Sequence, residues 1–231
     1  AELNPGTRVY LEPDGEGGPP NLILVGGGDA MLNDAPDCEA YCLASLANTV
    51  AALGLTEYNQ VIGDDRFFPN ERWGVGWGLE DIQFYYGTAI SALSLNDNLV
   101  WVTVVPGQEE GEPASAQWQT GDDVFKLSSH VETSASETDR RLRVERFPGA
   151  DEVRVYGQIP VDSEPVRLRL AISDPAERAA KRFAQLLEAR SIDVARISTR
   201  HRPLALSDEP PSGEEGEEAK EPLARASPFP A

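Results

Sequence analysis

The 231-residue sequence predicts a mixed α/β (α+β) fold that carries a small all-β subdomain. Three observations carry that expectation. Between residues 21 and 65 an apolar strand-like segment, a helix-period stretch and a second apolar segment follow in the order of a βαβ unit. Between 123 and 156, short segments alternate polar and apolar residues with turn residues between them, as half-buried strands do. From Pro165 to Ile172 the alternation is strict and delivers the chain to a segment with nearly every helix-start signal. The length allows one large domain or two small ones.

Taken in order, Thr7–Glu12 alternates and reads as an edge strand, and Asp14–Pro20 is a turn-rich connector. Asn21–Val25 is a buried strand running into Gly26-Gly-Gly-Asp29. Pro36-Asp37 introduces a helix to about Leu53, with Cys42, Leu46, Val50 and Leu53 at helical spacing and Gly54 as its stop. Cys38 and Cys42 fall on one face of that helix, where side chains meet but cross-link poorly. They are expected to be two small core residues, with a disulfide or a metal pair as the alternatives. Only His130 and His201 supply imidazoles, too few for a typical four-ligand zinc site. Val61-Ile62 starts a short strand ending in Gly63-Asp-Asp65, whose carboxylates read as turn residues.

Residues 67–88 gather Phe67, Phe68, Trp73, Trp77, Phe84, Tyr85 and Tyr86 among glycines, without the period of a single helix. The stretch reads as a loop packed by its own aromatics, a kind of segment that often binds ligands. Glu80-Asp81 lie inside it, where carboxylates beside Trp and Tyr can form a polar pocket. Asn98–Val105 is the clearest strand, closed by Pro106-Gly107, and 108–118 reads as a polar loop. Asp123–Leu127, Arg141–Arg146 and Glu152–Tyr156 are the strands of the β subdomain, with Phe147-Pro-Gly149 as a turn. The next helix has Asp174 as N-cap, Pro175 at the first helical position, Glu177 two residues further, and a stripe of Phe183, Leu186 and Leu187. Ile192–Ile197 is a last strand. Beyond Arg202 the pattern dissolves, and Ser207–Glu218 has no apolar residue to anchor it, so it is expected to be mobile.

A net charge of -19 opposes nucleic acid and anionic membrane surfaces as partners, because both are held by clustered Lys and Arg. No apolar run approaches the roughly 18–20 residues that span a bilayer. The chain opens on Ala-Glu-Leu-Asn-Pro without a charged, Met-initiated leader, which suggests a removed signal peptide or an excised piece. A serine acyl-enzyme of the penicillin-recognising kind needs Ser-x-x-Lys, Ser-x-Asn and Lys-Thr/Ser-Gly. None of Lys126, Lys181 and Lys220 fits either lysine motif, and Ser94-Leu-Asn96 alone is a chance match. No Gly-x-Ser-x-Gly elbow is present. Gly26-Gly-Gly28 is followed by Met31 where a dinucleotide fingerprint needs glycine, and no Walker lysine exists. No catalytic residue, metal ligand or cofactor is therefore expected in this chain.

The order of short motifs carries a resemblance. Leu22–Asp29 is similar to a strand-and-"GGGDP" segment, with Ala30 in place of the proline. Val61–Asp65 with Phe67-Phe68, Gly76-Trp-Gly-Leu-Glu-Asp81, Tyr85-Tyr-Gly87, Ser91-Ala-Leu93, Asn96-Asp-Asn98 and Val105-Pro-Gly107 follow in family order. Gly157-Gln-Ile-Pro160, Asp174-Pro175 and Ser227-Pro228 continue it. Over nearly its whole length the chain resembles the low-molecular-mass class C penicillin-binding proteins, D-alanyl-D-alanine carboxypeptidases/endopeptidases.

That resemblance implies an insertion region interrupting a catalytic domain between Ser-x-x-Lys and Ser-x-Asn, with the catalytic domain itself missing. The implied layout is 1–107 as the first part of an α/β domain and 108–165 as a small β subdomain inserted in it. Residues 166–200 would be its return, and 201–231 an acidic flexible segment leading toward the catalytic domain. The implied partners are the peptidoglycan stem peptide and the catalytic domain of the same parent chain, in the periplasm or cell envelope. Trp77, Glu80 and Tyr85 match a substrate-binding loop, with Glu80 standing where the family often has Asp. An aromatic wall with a carboxylate suits an aliphatic side chain ending in an ammonium group. A homologue that lost catalysis and still binds or scaffolds cell-wall peptide is the rival reading.

Overall fold

Strands β1 (Arg8–Glu12), β2 (Asn21–Val25) and β3 (Glu57–Pro69) begin a computed structural model that describes residues 6–35, 37–119, 124–204 and 221–226. The chain divides into two units. The first comprises residues 1–72, 90–97 and 174–231, and the second 73–89 and 98–173.

The first unit is a five-stranded sheet in the order β10-β3-β2-β1-β11, with β10 at Asp193–Arg202 and β11 at Ala224–Arg225. β2 and β10 both pair in parallel with β3, while β1 runs antiparallel to β2 and to β11. Two helices, α1 (Leu43–Ala51) and α2 (Pro175–Glu188), supply the apolar faces that cover it. Leu22, Leu24, Leu46, Val50, Val61, Phe183 and Leu187 form one buried cluster. Asp174 caps α2, its Oδ1 accepting the Glu177 N–H at 3.1 Å, with Pro175 behind it as expected. Gly63 is demanded by packing: a Cβ there would lie 2.3 Å from the Ala176 carbonyl oxygen of α2.

Four expectations for this unit are corrected. Helix α1 begins at Leu43 rather than near residue 36, because Tyr41 takes φ 54° and Cys42 is extended. Cys38 and Cys42 thus precede the helix, and they form a disulfide with Cα atoms 5.8 Å apart. Strand β3 runs on through Asp64 and Asp65 to Pro69 instead of turning there. Both carboxylates are buried, which a strand tolerates only when each has partners. Asp64 takes the Arg66 guanidinium at 2.7 to 3.0 Å, and Asp65 takes Ser91 and His201. Phe67 and Phe68 consequently belong to β3 and not to the aromatic loop.

The second unit holds two three-stranded sheets. One has the order β5-β4-β9, from Ser115–Trp118, Leu99–Val105 and Val166–Ala171; the other is β6-β8-β7, from Lys126–Ser134, Glu152–Pro160 and Arg141–Glu145. Strand β4 alternates as the sequence suggests, burying Val100, Val102 and Val104 against Val131, Val153, Val155 and Ile159. This shared core is why β4 and β9 group with the β subdomain, a larger unit than residues 108–165. Strand β5 lies where a polar loop was expected, its Ala116 and Trp118 partly buried on alternate positions. Strands β6 and β8 pair in parallel and run to Ser134 and Pro160, well past the short strands read from sequence. Residues 121–123 and the polar run Ser207–Glu218 lie outside the described residues, as does Ser227-Pro228. Among the described residues no helix is long and apolar enough to cross a membrane.

Candidate functional site

Within the second unit, residues 73–89 form a loop that is exposed at its tip and tied at its base. The indole N–H of Trp73 donates to the Gly87 carbonyl at 2.8 Å, closing the loop. Asp81 organises the turn: its Oδ2 accepts the Gly78 N–H at 3.1 Å and its carbonyl accepts the Phe84 N–H at 3.0 Å. Gly87 is buried against this turn, and a Cβ on it would lie 2.1 Å from the Asp81 carbonyl oxygen. A short 3₁₀ turn, Tyr85–Gly87, ends the segment.

The three residues singled out from sequence all sit on this loop and all reach solvent. Trp77 and Tyr85 are 45% and 46% exposed, and Glu80 is exposed beside them. Among the described residues neither hydrogen bond nor ring contact joins Trp77, Glu80 and Tyr85 to one another. The Glu80 carboxylate folds over Gly78, where a Cβ would come within 2.8 to 2.9 Å of it, and among the described residues it takes no hydrogen bond or ion pair. Tyr86, edge-on to Tyr85 at 5.3 Å, has its phenol pKa raised by partial desolvation and then by the Asp81 carboxylate.

Sequence reasoning missed the cations. Arg169 of β9 lays its guanidinium 3.9 Å from the Tyr85 ring centroid, and its cross-strand neighbour Trp101 carries Arg167 at 4.3 Å. One face of Tyr85 is therefore already occupied by a positive charge. Arg146, just beyond β7, is buried and donates to the Ile82 carbonyl inside the loop. The alternation Arg167-Leu-Arg169 places both β9 arginines on one strand face, but nothing in the sequence pairs that face with residue 85.

The first unit contains a second polar cluster with the residue types of hydrolytic chemistry. Ser91 Oγ donates to Asp65 Oδ2 at 2.9 Å, and His201 Nδ1 lies 2.7 Å from Asp65 Oδ1. His201 Nε2 is 3.4 Å from Asp174, which also binds Arg72 at 2.6 Å. The connectivity is wrong for nucleophilic catalysis. A nucleophile needs its proton on the base, whereas Ser91 gives its proton to the carboxylate and has no direct hydrogen bond with the histidine. The cluster joins the end of β3, the end of β10 and the cap of α2, which is a structural task. Among the described residues no group of three or more His, Cys, Asp or Glu is arranged to hold a metal ion.

Comparison with known proteins agrees with the sequence resemblance. A profile of the D-Ala-D-Ala carboxypeptidase 3 (S13) family matches residues 3–206. A D-alanyl-D-alanine carboxypeptidase of Actinomadura sp. (strain R39) is 31% identical over 198 residues, covering 82% of this chain and 36% of that relative. The chain thus spans well under half the length of this relative. Penicillin binding protein 4 (dacB) of Haemophilus influenzae superposes with a TM-score of 0.70 at 18% identity, over 88% of this chain and 44% of that one. The same protein complexed with a β-lactam gives a TM-score of 0.60 at 15% identity, over 88% and 42%. At such identities these structures speak for the fold, which is the mixed α+β arrangement expected. On the match over residues 3–206, the chain belongs to the D-Ala-D-Ala carboxypeptidase 3 (S13) family.

Proposed function

We propose that this chain is the insertion region of a serine-type D-Ala-D-Ala carboxypeptidase or endopeptidase acting on peptidoglycan stem peptides. In this reading the catalytic motifs come from another part of the parent chain. The loop of residues 73–89 faces the substrate. The observation that carries the reading is a loop tied at its base by Trp73 and Asp81 that presents Trp77, Glu80 and Tyr85 to solvent. Trp77 offers an apolar wall and Glu80 an exposed carboxylate for the diaminopimelate-like side chain of the stem. Tyr85 contributes an edge or its second face, since Arg169 covers the first.

The disulfide between Cys38 and Cys42 supports a periplasmic or cell-envelope location, because such bonds persist in oxidising compartments. The acidic balance of 39 Asp and Glu against 20 Lys and Arg supports a peptide partner over nucleic acid.

The test uses the full-length enzyme with Trp77→Ala and Glu80→Ala. Each should lower turnover of a diaminopimelate-containing peptide more than turnover of a plain D-Ala-D-Ala peptide. Equal losses on both peptides would retire the side-chain pocket. This chain alone should stay unlabelled by fluorescent penicillin, and covalent labelling would overturn the assignment of the nucleophile to another part of the parent.

A further inference from the structure

Arg146 is 4% exposed, yet among the described residues no carboxylate pairs with it. A buried, unpaired guanidinium is expensive, and apolar residues of similar volume are often as stabilising or more so. Burial lowers its pKa from the ordinary arginine value, but the group remains a cation at any ordinary pH. The reason for burying it therefore lies in what it holds.

What it holds is the loop. Nη2 of Arg146 donates to the Ile82 carbonyl at 3.1 Å and to the Ala171 carbonyl, at the end of β9, at 3.2 Å. The backbone N–H of Arg146 donates to the Gln83 side-chain oxygen at 2.9 Å. Ala171 N–H returns a bond to the Gln83 carbonyl at 3.0 Å, and Phe84 bridges to Leu170. The Phe125 ring centroid lies 4.8 Å from the guanidinium carbon and covers one face of the cation. Both grips fall at 82 and 83, between Glu80 and Tyr85. Charge-assisted bonds to carbonyls in a dry site are stronger and more directional than neutral ones.

We infer that Arg146 is a positioning residue that fixes the backbone of 82–84 and thereby sets Glu80 and Tyr85 for side-chain recognition. The inference rests on the substrate-facing reading of the loop. A flexible loop would have to be ordered by each ligand, which weakens binding of the side chain it recognises.

The experiment uses Arg146→Met, Arg146→Lys and Gln83→Leu in the full-length enzyme, with Glu80→Ala in parallel. Amide hydrogen exchange at residues 81–86 and kcat/KM for the two peptides are measured. Arg146→Met should speed exchange there by about tenfold or more. It should also lower the ratio of diaminopimelate-peptide to plain-peptide kcat/KM by about fivefold, chiefly through KM. Arg146→Lys, which keeps a charged donor but loses the planar guanidinium packed on Phe125, should recover only part of both. Unchanged exchange at 81–86 overturns the inference. So does a ratio that moves in Glu80→Ala and stays fixed in Arg146→Met. A ratio fixed in both variants overturns the substrate-facing reading itself. Should Arg146→Met fail to fold, Gln83→Leu must produce the same two shifts, and their absence overturns the inference.

Discussion

Two constellations, one in each unit, invite a functional reading and differ in how their polar groups are partnered. Ser91, Asp65, His201, Asp174 and Arg72 of the first unit are turned on one another, with the Asp65 carboxylate bonded at both oxygens. Trp77, Glu80 and Tyr85 of the second unit stand on a tied loop with Glu80 unpaired among the described residues. A polar group whose bonds are all made inside the protein has nothing left for a ligand. A held but unpaired one has everything left. Residue chemistry alone would have favoured the first cluster as the site, and partner accounting favours the second.

The contrast can be broken or sharpened in order of expected effect. Asp65→Ala strips partners from both Ser91 and His201 and should cost about 3 kcal/mol of stability, read from denaturant unfolding. A loss within about 0.5 kcal/mol would show that the cluster is not structural. Replacing both Cys38 and Cys42 by serine releases a disulfide closed over a very short loop and should cost about 2 kcal/mol in the chain-entropy account. The same unfolding experiment checks it. Glu80→Ala, at an exposed position, should change stability by no more than about 0.5 kcal/mol, and Trp77→Ala, which removes a half-buried indole, by about 1 kcal/mol. A large destabilisation would make the loop residues structural and erase the contrast.

The smallest effect concerns pH. Burial works to raise the Asp34 carboxyl pKa, but hydrogen bonds from Asn96 and Arg182 outweigh it and hold the group below 3.8. A carboxyl depressed in the folded state contributes stability above its unfolded pKa and loses it as pH falls through the folded value. Acid unfolding curves below about pH 4 should therefore flatten in Asp34→Asn relative to the parent. A parent curve with the same slope as the variant would count against that ion pair.

Much of the fold was legible because it rests on period. Strand β4 and helix α2 are read directly from alternation and from the Asp174-Pro175 start, both local signals. Strand β3 was cut short because Asp64-Asp65 looks like a turn, and the partners that bury Asp65 lie at residues 91 and 201. The start of α1 was misplaced because the disulfide and the left-handed Tyr41 override helical spacing between residues 38 and 42. For the site, Trp77, Glu80 and Tyr85 were found through motif order. Arg146 and Arg169 were not, since the loop residues they hold lie 64 and 84 positions earlier in the chain.

Glu80→Gln in the full-length enzyme probes the contrast most directly, because it removes a charge and almost no volume. It should be assayed on two stem peptides that differ only in a free or an acetylated side-chain amino group. Loss of one exposed charge pair predicts about a three- to fivefold drop in kcat/KM for the free-ammonium peptide and little change for the acetylated one. The same kcat/KM change on both peptides, or none on either, would contradict a substrate-facing Glu80.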